Sequence, residues 1–521
     1  MHGEAFYDFA FADGYSWQES WKEFFFFRHR SRFMHGVFVT ILYKLQGFNP
    51  PALYLTVYLL KILTSMAIML TIKDFVSRPW LSSLLTITFT LLPANIPELF
   101  LLRKIHHSLA WFTFWLAVLF VQRWIFKQKA GWLIPATLAF TSSILSYEAT
   151  GGLLMIALFL SLNRISNLRD FGRKAIVVLL ISLFGWATFL QLEATKPSAA
   201  IYEYYFKGQF DLFAQSAALI EGIFSLLESI WTGGLFALYY TPGSVDQFVS
   251  RLLILSALFL LAIGLYTYLR REKDSSSKPR ALLYTKMLAL TASGAWLAIV
   301  TYFPFVLAGQ KPDSDSLLGA AIGLIFVALA AYTFLLSLGR EKLGAIYIAA
   351  TCLFWVIIGS LSYPTALAET AKFDTRTTNL MLSLKENIPR VKENTTFVFV
   401  NTDFHRGSIC QSMLRMLYDR NKLACIHLLD NRSDIESYTR ESASFVENTG
   451  RMFEYDFVLL SADDEGAVTL IEEISPEGYP DLPITWSSRD PIPFNTSRII
   501  RLPSPPSQYY NYLLETRLPA E

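Results

Sequence analysis

Charged residues are scarce in this chain. Only 17% of its 521 residues are Asp, Glu, Lys or Arg, whereas an ordinary soluble protein has about 25%. Hydrophobic residues make up 53% of the chain, so a large part of it is expected to lie in lipid. The net charge of +2 is too small to indicate a nucleic-acid partner.

Cysteine is also scarce, with Cys352, Cys410 and Cys425 alone. Three cysteines do not make a disulfide framework, although Cys410 and Cys425 share the predicted soluble domain and could pair. No Cys/His cluster has zinc-ligand spacing. The first fifty residues contain no signal peptide and no spanning run, because Phe24–Phe27 is cut off by Arg28 and a span needs roughly 20 apolar residues.

Long apolar runs dominate the middle of the chain and predict an α-helical polytopic membrane protein of about ten spans. The runs lie at about 52–72, 80–100, 106–122, 131–147, 149–163, 175–194, 250–269, 287–307, 318–338 and 344–362. We therefore predict an outer acidic loop with interfacial helices at 1–51, a transmembrane domain at 52–363 and a soluble α/β domain at 364–521.

Basic residues between the runs set the predicted orientation, because loops rich in Lys and Arg prefer the cytoplasm. Alternate loops are rich in them, as at 123–129, 164–174 and 270–286. With an even number of spans, both ends of the chain are expected outside. The outer segment 195–249 contains an apolar stretch, 217–240, with acids on one face. It predicts an interfacial helix, and an eleventh span is the alternative.

The region after residue 364 alternates between helical and extended patterns, which predicts a small extracytoplasmic α/β domain. A helix is expected at 376–394 and another at Ser408–Asp419. Strands are expected at Thr396–Val400, Cys425–Leu429 and Phe457–Ser461.

Two carboxylates, Asp8 and Asp13, lie among aromatic residues ahead of the first apolar run. An Asp at the membrane boundary can act as a general base that deprotonates an acceptor hydroxyl; the alternative is a solvated loop. Arg28, Arg30 and Arg32 follow, and they fit either a lipid-phosphate site or a collar that anchors the segment at the interface.

The outer turn after the second run carries Arg103, Lys104, His106 and His107. Basic residues on the outer side are unexpected, because Lys and Arg prefer cytoplasmic loops. A phosphate ligand would explain them, and a salt bridge with Glu98 is the alternative. Glu148 lies at the tight outer turn between the fourth and fifth runs, where acids are costly and usually functional or paired. A buried pairing role is expected for Lys61, midway along the first run.

These features resemble the GT-C superfamily of membrane glycosyltransferases, which includes the dolichyl-phosphate-mannose–protein mannosyltransferases. The similarity covers roughly residues 5–400. It rests on Ala12–Trp17, on Arg32 through Gly47-Phe48-Asn49-Pro50, on Ser146-Tyr147-Glu148, and on the exit of the last run into Phe373–Val400.

The resemblance implies inverting transfer of a sugar from a polyprenyl-phosphate donor to an extracytoplasmic protein, lipid or glycan, without a certain cofactor; a divalent metal is possible. The family's loop Asp falls on Asp13, and Gly14 stands where many relatives have a second acid, which leaves Asp8. Family members begin with a span that this chain lacks, so either a start placed too late, or a fragment or degenerate member, is expected. The protein would lie in the plasma (inner) membrane if bacterial.

Two other functions remain open from the sequence. A transporter or flippase for a lipid-linked or anionic solute predicts charges inside the spans and two similar halves, and the chain shows few such charges and no halves. A non-catalytic membrane scaffold, whose α/β domain recruits a partner, is consistent with the absent first span and with Gly14.

Overall fold

The computed structural model describes most of the helical region and part of the C-terminal region. The described residues are 33–76, 78–92, 105–147, 150–165, 167–194, 278–307, 314–393, 395–400, 407–419, 423–428, 456–463, 465–470, 473–474, 492–493, 499–500, 507, 510–511 and 513–514. The predicted span at 250–269, residues 93–100 of the predicted span at 80–100, and the predicted interfacial helix at 217–240 lie outside them.

The described residues are mostly helical. The α-helices are α1 Phe33–Gln46, α2 Pro50–Ile72, α3 Pro79–Thr90, α4 Ile105–Lys127, α5 Leu133–Ile144, α6 Ile156–Phe159, α7 Leu168–Ala194, α8 Lys278–Leu307, α9 Ser314–Ser337, α10 Glu341–Asn387 and α11 Gly407–Tyr418.

Local chemistry explains the sharp boundary between α1 and α2. Gly47 follows α1 with a φ of 64°, a conformation that glycine adopts without steric cost. Asn49 then caps α2, since its side-chain oxygen accepts a hydrogen bond from the backbone N–H of Ala52 at 3.3 Å. Pro50 stands in the first turn, where its missing N–H costs nothing.

The long helices run back and forth between two ends of one bundle. The amide Nε2 of Gln122 donates to the carbonyl of Thr71 at 3.1 Å, so α2 and α4 are parallel and end together. The hydroxyl of Ser143 donates to the carbonyl of Ala110 at 2.8 Å, so the last turn of α5 lies beside the first turns of α4.

Basic side chains gather at one end of this bundle, which we call the basic end. Arg78 and Glu341 form an ion pair there at 2.9 Å, which joins the starts of α3 and α10, and Lys286 of α8 donates to the carbonyl of Asp74. The basic end includes Lys73, Arg78, Lys127, Lys129, Arg164, Arg169, Arg173, Lys286, Arg340 and Lys342. These positions belong to the loops predicted to be cytoplasmic.

The fifth predicted span, 149–163, differs from the expectation because it is not one continuous helix. α6 is a single turn between 3₁₀ turns at Leu153–Met155 and Leu162–Arg164. The indole N–H groups of Trp186 and Trp296 donate to the carbonyls of Gly151 and Gly152, each at 3.1 Å. Because these carbonyls bond to side chains of α7 and α8, a regular helix ladder does not start there.

Three described helices are long and apolar enough to cross a membrane: Pro51–Phe75, Ile105–Lys127 and Leu168–Leu192. Shorter apolar helices lie at Ala130–Ile144 and Ala321–Ser337. The second predicted run, 80–100, contains only the 12-residue helix α3 among its described residues.

α10 is a single helix of 47 residues, so the predicted last span and the predicted helix at 376–394 are continuous. At 1.5 Å per residue it is about 70 Å long. It therefore runs from the basic end, past the opposite end of the bundle, and into the C-terminal sheet. The predicted domain boundary at 363/364 falls inside this helix.

The C-terminal region contains a small sheet, as predicted, with a parallel centre. β2 (Thr395–Val400) pairs in parallel with both β3 (Leu423–Leu428) and β4 (Asp456–Ala462), and β5 (Val468–Leu470) pairs antiparallel with β4. Cys410 of α11 and Cys425 of β3 form a disulfide with 6.0 Å between their Cα atoms. The strands are β1 Arg390–Val391, β2 Thr395–Val400, β3 Leu423–Leu428, β4 Asp456–Ala462, β5 Val468–Leu470, β6 Glu473–Ile474, β7 Ile492–Pro493 and β8 Ile499–Ile500.

The sheet and the helical bundle share one cluster of buried apolar side chains. The cluster includes Val39 and Tyr43 of α1, Val57 of α2 and Leu109 of α4, together with Phe397 of the central strand. The sheet therefore packs at the end of the bundle opposite the basic end. Because α10 also enters the sheet there, the two connections position the sheet over the starts of α2 and α4.

Candidate functional site

Most of the predicted site residues lie outside the described residues, and the structure leaves their roles as predictions. They are Asp8, Asp13, Arg28, Arg30, Arg32, Arg103, Lys104 and Glu148. The described part of the predicted site consists of His106 and His107 at the start of α4.

Three histidines and one tyrosine come together at the end of the bundle that carries the sheet; we call this group the histidine cluster. The rings of His35 and His106 are 4.8 Å apart in an edge-to-face arrangement, and those of His106 and His107 are 4.2 Å apart. The ring of Tyr147 stacks on His107 at 4.0 Å and lies 5.7 Å from that of His106. His106 is therefore the centre of the cluster.

Three separate elements contribute to the histidine cluster. α1 carries His35, α4 carries both adjacent histidines in its first turn, and the turn after α5 carries Tyr147. The backbone N–H of Met34 donates to the carbonyl of Leu145 at 3.2 Å, which ties α1 to that turn. The cluster thus lies where the start of α1 meets the start of α4 and the turn after α5.

Ser143 fixes the turn that holds Tyr147. Its hydroxyl bonds to Ala110 of α4 and also lies 2.7 Å from the hydroxyl of Thr150, and its carbonyl accepts the N–H of Tyr147 at 2.9 Å. The two sides of the turn are therefore held against α4.

Burial distinguishes the members of the histidine cluster. His35 is 3% exposed, His107 is 2% exposed and Tyr147 is 6% exposed, whereas His106 is half-buried. Polar rings are buried only where packing and hydrogen bonds offset the loss of water. The first three thus form a packed support, and His106 is the most exposed member of the cluster.

The start of α4 favours anions. The first N–H groups of a helix lack intrahelical acceptors and carry partial positive charge, and α4 has 23 residues. Imidazole N–H groups add donors beside it. Arg103 and Lys104 immediately precede α4 in the sequence. The chemistry that fits this end is the binding of a phosphate or a similar oxyanion.

Two members of the histidine cluster are not among the predicted site residues. His35, close in sequence to Arg28, Arg30 and Arg32, lies against His106. Tyr147, which precedes Glu148 in the sequence, stacks on His107. The helical period of α1 gives no signal for contact with α4, because that contact depends on how the helices pack.

A divalent metal was a possibility from the sequence. Within the described ranges, no group of three or more His, Cys, Asp or Glu side chains could hold a metal ion. The histidine cluster is a packed ring assembly beside the start of α4, and the divalent metal stays a prediction.

Lys61 lies in the middle of α2 and is 2% exposed. The hydroxyl of Ser65 donates to the Lys61 carbonyl at 3.0 Å, and the hydroxyl of Thr90 donates to Ser65 at 2.9 Å. Lys61 thus lies buried beside a polar seam between α2 and α3. Its burial is as expected, and the pairing role stays a prediction.

Asp463 has a structural role in the turn between β4 and β5. Its carboxylate accepts the N–H of Ala467 at 2.7 Å, and Gly466 occupies a φ of 91° in the same turn. Asn379 of α10 donates to the carbonyl of Glu465 at 3.1 Å. The turn therefore attaches the sheet to α10.

Lys385, near the end of α10, is a buried cation whose pKa is lowered. Its ammonium lies 4.6 Å from the ring centroid of Tyr418 and 5.7 Å from that of Tyr510, and the residue is 7% exposed. Burial, and then the nearby Arg390, lower the pKa of Lys385 to about 8, while Asp419 acts in the opposite direction.

No protein family, curated protein sequence or solved structure matches this chain.

Proposed function

We propose that the chain is a polytopic membrane glycosyltransferase. It transfers a sugar from a polyprenyl-phosphate donor to an acceptor on the extracytoplasmic side. The observation that carries this proposal is the convergence of His35, His106 and His107 at the start of α4. That convergence assembles an oxyanion-binding end beneath the C-terminal sheet.

The membrane part of the proposal is supported by the apolar surface of the bundle. Leu180, Leu183 and Phe184 of α7 are 59%, 62% and 57% exposed, and α2 and α10 present similar side chains. Apolar surface of this extent is unusual on soluble proteins and suits contact with lipid. The basic end lies at one end of this apolar surface, and its Lys and Arg residues suit the cytoplasmic side.

The disulfide supports an extracytoplasmic sheet. Disulfides persist in oxidising compartments and are rare where thiols are kept reduced. Cys410 and Cys425 lie in the sheet domain, which packs on the end of the bundle away from the basic end. Basic loops and disulfide thus lie on opposite sides of the same bundle.

In the proposed reaction, the histidine cluster and the start of α4 hold the phosphate of the donor. Charge develops on this leaving group as the bond from the anomeric carbon to the phosphate oxygen breaks. Donors already aimed at that oxygen stabilise the charge without reorganisation. His106 and the preceding Arg103 and Lys104 supply such donors.

Asp13 is the proposed general base, with Asp8 as the second carboxylate of the same loop. The carboxylate takes the proton of the acceptor hydroxyl while the oxygen attacks the anomeric carbon from the face opposite the phosphate, which inverts the configuration. The assignment rests on the resemblance to GT-C enzymes.

The test is transfer from a labelled polyprenyl-phosphate sugar by membranes that contain the full chain. We expect Asp13→Asn to lower the rate about 100-fold or more, since a general base contributes 10²–10⁴-fold. His106→Ala is expected to raise the donor concentration needed for half-maximal rate. Glu465→Gln, on the exposed turn of the sheet, is the matched control and is expected to keep full activity.

Two outcomes contradict the proposal. If robust transfer survives both Asp13→Asn and Asp8→Asn, the proposed base is wrong. If none of a panel of polyprenyl-phosphate sugars is consumed, the transfer reaction itself is wrong, and the transporter or scaffold functions replace it.

A further inference from the structure

A second polar site lies at the basic end, far from the histidine cluster. It is a cleft of about 460 Å³ between the end of α4, the 3₁₀ turn Leu162–Arg164 and the start of α7. Four cations line it together with one acid and two amides: Arg164, Arg169, Arg173, Lys174, Asp170, Gln128 and Asn167. Its volume falls within the range of small-molecule sites.

The one acid of this cleft is already neutralised. The ammonium of Lys174 lies 2.8 Å from the Asp170 carboxylate, and the Lys174 side chain is only 5% exposed. Asn167 is committed to the backbone, because its side-chain oxygen accepts the N–H of Asp170 at 2.9 Å. The charge that faces the cleft is therefore that of the three arginines.

These arginines make no ion pair with any carboxylate in the described part of the chain. Arg164 is oriented by the ring of Phe126, with 5.5 Å between its guanidinium carbon and the ring centroid. Arg169 and Arg173 are exposed. The guanidinium groups thus converge on the cleft without a protein anion to balance them.

The fold itself gains nothing from this arrangement. Cations in the first turns of a helix oppose the positive end of its dipole, and Arg169 and Arg173 stand there in α7. They are also four residues apart, a spacing at which like charges repel on a helix surface. A bound anion reverses both effects, because it would accept hydrogen bonds from the cations and from the helix end.

The apolar surface next to the cleft indicates which kind of phosphate compound binds there. Directly beyond the cleft, α7 presents Ile176, Leu180 and Leu183, which are 59%, 59% and 62% exposed. A phosphate that carries acyl chains would bind the arginines while its chains lie along these side chains. Inorganic phosphate would use only the cleft.

We infer that this cleft binds the phosphate of an anionic phospholipid headgroup on the cytoplasmic side. Arg164, Arg169 and Arg173 hold the phosphate oxygens through paired N–H donors, which match phosphate geometry. The inference uses the membrane placement of the bundle but not the sugar-transfer reaction, so the site exists whether or not the chain is an enzyme.

The test is the binding of lipid to the full chain in detergent, by native mass spectrometry and by the midpoint of thermal unfolding. The probes are phosphatidylglycerol, phosphatidylcholine and inorganic phosphate at matched concentrations. We expect phosphatidylglycerol alone to bind and to raise the midpoint. Arg169→Gln with Arg173→Gln should weaken that binding about 30-fold, since each basic residue at the membrane surface contributes about fivefold.

Lys129→Gln with Lys342→Gln is the matched control, because it removes two exposed cations of the same basic end from outside the cleft. Binding that stays within about twofold of the unchanged chain supports the site. Equal weakening by both double variants means that lipid binding follows surface charge in general and overturns the inference. Equal stabilisation by inorganic phosphate overturns the lipid as the source of the anion. If neither phosphatidylglycerol nor inorganic phosphate binds, the site itself is overturned.

Discussion

The imidazole of His107 lies almost parallel to the phenol ring of Tyr147, with 4.0 Å between ring centroids and 18° between ring planes. This contact joins the first turn of α4 to the turn after α5. Both residues are almost fully buried, so the stack is a support beneath the more exposed His106. The rigidity of the proposed phosphate site depends on this support.

Substitutions at His107 are expected to separate packing from hydrogen bonding. His107→Ala removes the stacked ring and leaves a cavity, so it should lower the free energy of unfolding by about 2 kcal/mol. His107→Phe keeps a planar ring of similar size and should lower it by less than half as much. Urea unfolding of the full chain in detergent, followed by tryptophan fluorescence, measures both. Equal losses would mean that the stack is not what stabilises this turn.

Gly294 sets the close approach of α8 and α9. A Cβ atom at this position would lie 2.5 Å from the carbonyl oxygen of Gly323, a backbone atom that cannot move aside by itself. Small residues of this kind let membrane helices pack closely. Gly294→Leu should therefore destabilise the protein by about 1–3 kcal/mol, measured by thermal unfolding in detergent.

Gly172 provides the matched control for this prediction. It is also helical, in α7, but no atom of the residues that the structure describes lies within 4 Å of a Cβ built there. Gly172→Ala should leave stability unchanged or raise it by up to about 1 kcal/mol, since Ala has the higher helix propensity. A loss at Gly172 as large as that at Gly294 would show that packing between α8 and α9 is not the cause.

The sequence predicts local elements of this fold well. The strand expected at Thr396–Val400 is observed at Thr395–Val400, and the helix expected at Ser408–Asp419 at Gly407–Tyr418. These predictions succeed because the spacing of apolar residues and the positions of residues that break helices and strands are local signals. The pairing of Cys410 with Cys425, which the sequence left open, is observed.

Features that depend on contacts between distant segments could not be predicted in this way. The interruption of 149–163 requires the indoles of Trp186 and Trp296, which lie 35 and 144 residues from the carbonyls they bind. The contact of His35 with His106 depends on the packing of α1 against α4. Neither the period of one helix nor its composition contains this information.

The disulfide is expected to stabilise the sheet domain. It closes a loop with a sequence separation of 15 residues, for which the loss of unfolded-state entropy is worth about 3 kcal/mol. Cys410→Ser with Cys425→Ser should lower stability by about this amount and abolish the mobility shift on reduction in a denaturing gel. Cys352→Ala, which removes the free buried thiol, should leave the mobility shift intact. A shift that survives the double substitution would rule out this pairing.

The two ends of the bundle are expected to lie on opposite sides of the membrane. Lys342 at the basic end and Glu465 in the sheet are both exposed. In a Cys352→Ala background, Glu465→Cys should react with a membrane-impermeant maleimide on right-side-out vesicles, whereas Lys342→Cys should react only after permeabilisation. Labelling of both from the same side would contradict the alternating topology of α2 to α10.

The pH dependence of stability is expected to reflect Lys385. Its pKa is lowered to about 8 by burial and by Arg390, against an ordinary lysine value of about 10.4. Between these two values the unfolded chain holds a proton that the folded chain has released, so stability rises with pH. The gain between pH 8 and 9.5 should be about 1–2 kcal/mol, since one pKa unit corresponds to about 1.4 kcal/mol.

Tyr418 limits this gain at higher pH. Burial raises the pKa of its phenol, so above about pH 10 the unfolded chain loses a proton that the folded chain keeps, and stability falls. Thermal unfolding of the full chain in detergent should therefore show a maximum near pH 9.5 to 10. Lys385→Met, which keeps the length of the side chain but removes the ammonium, should flatten the rise from pH 8 while leaving the fall above pH 10. A rise that persists in Lys385→Met would assign it to another group.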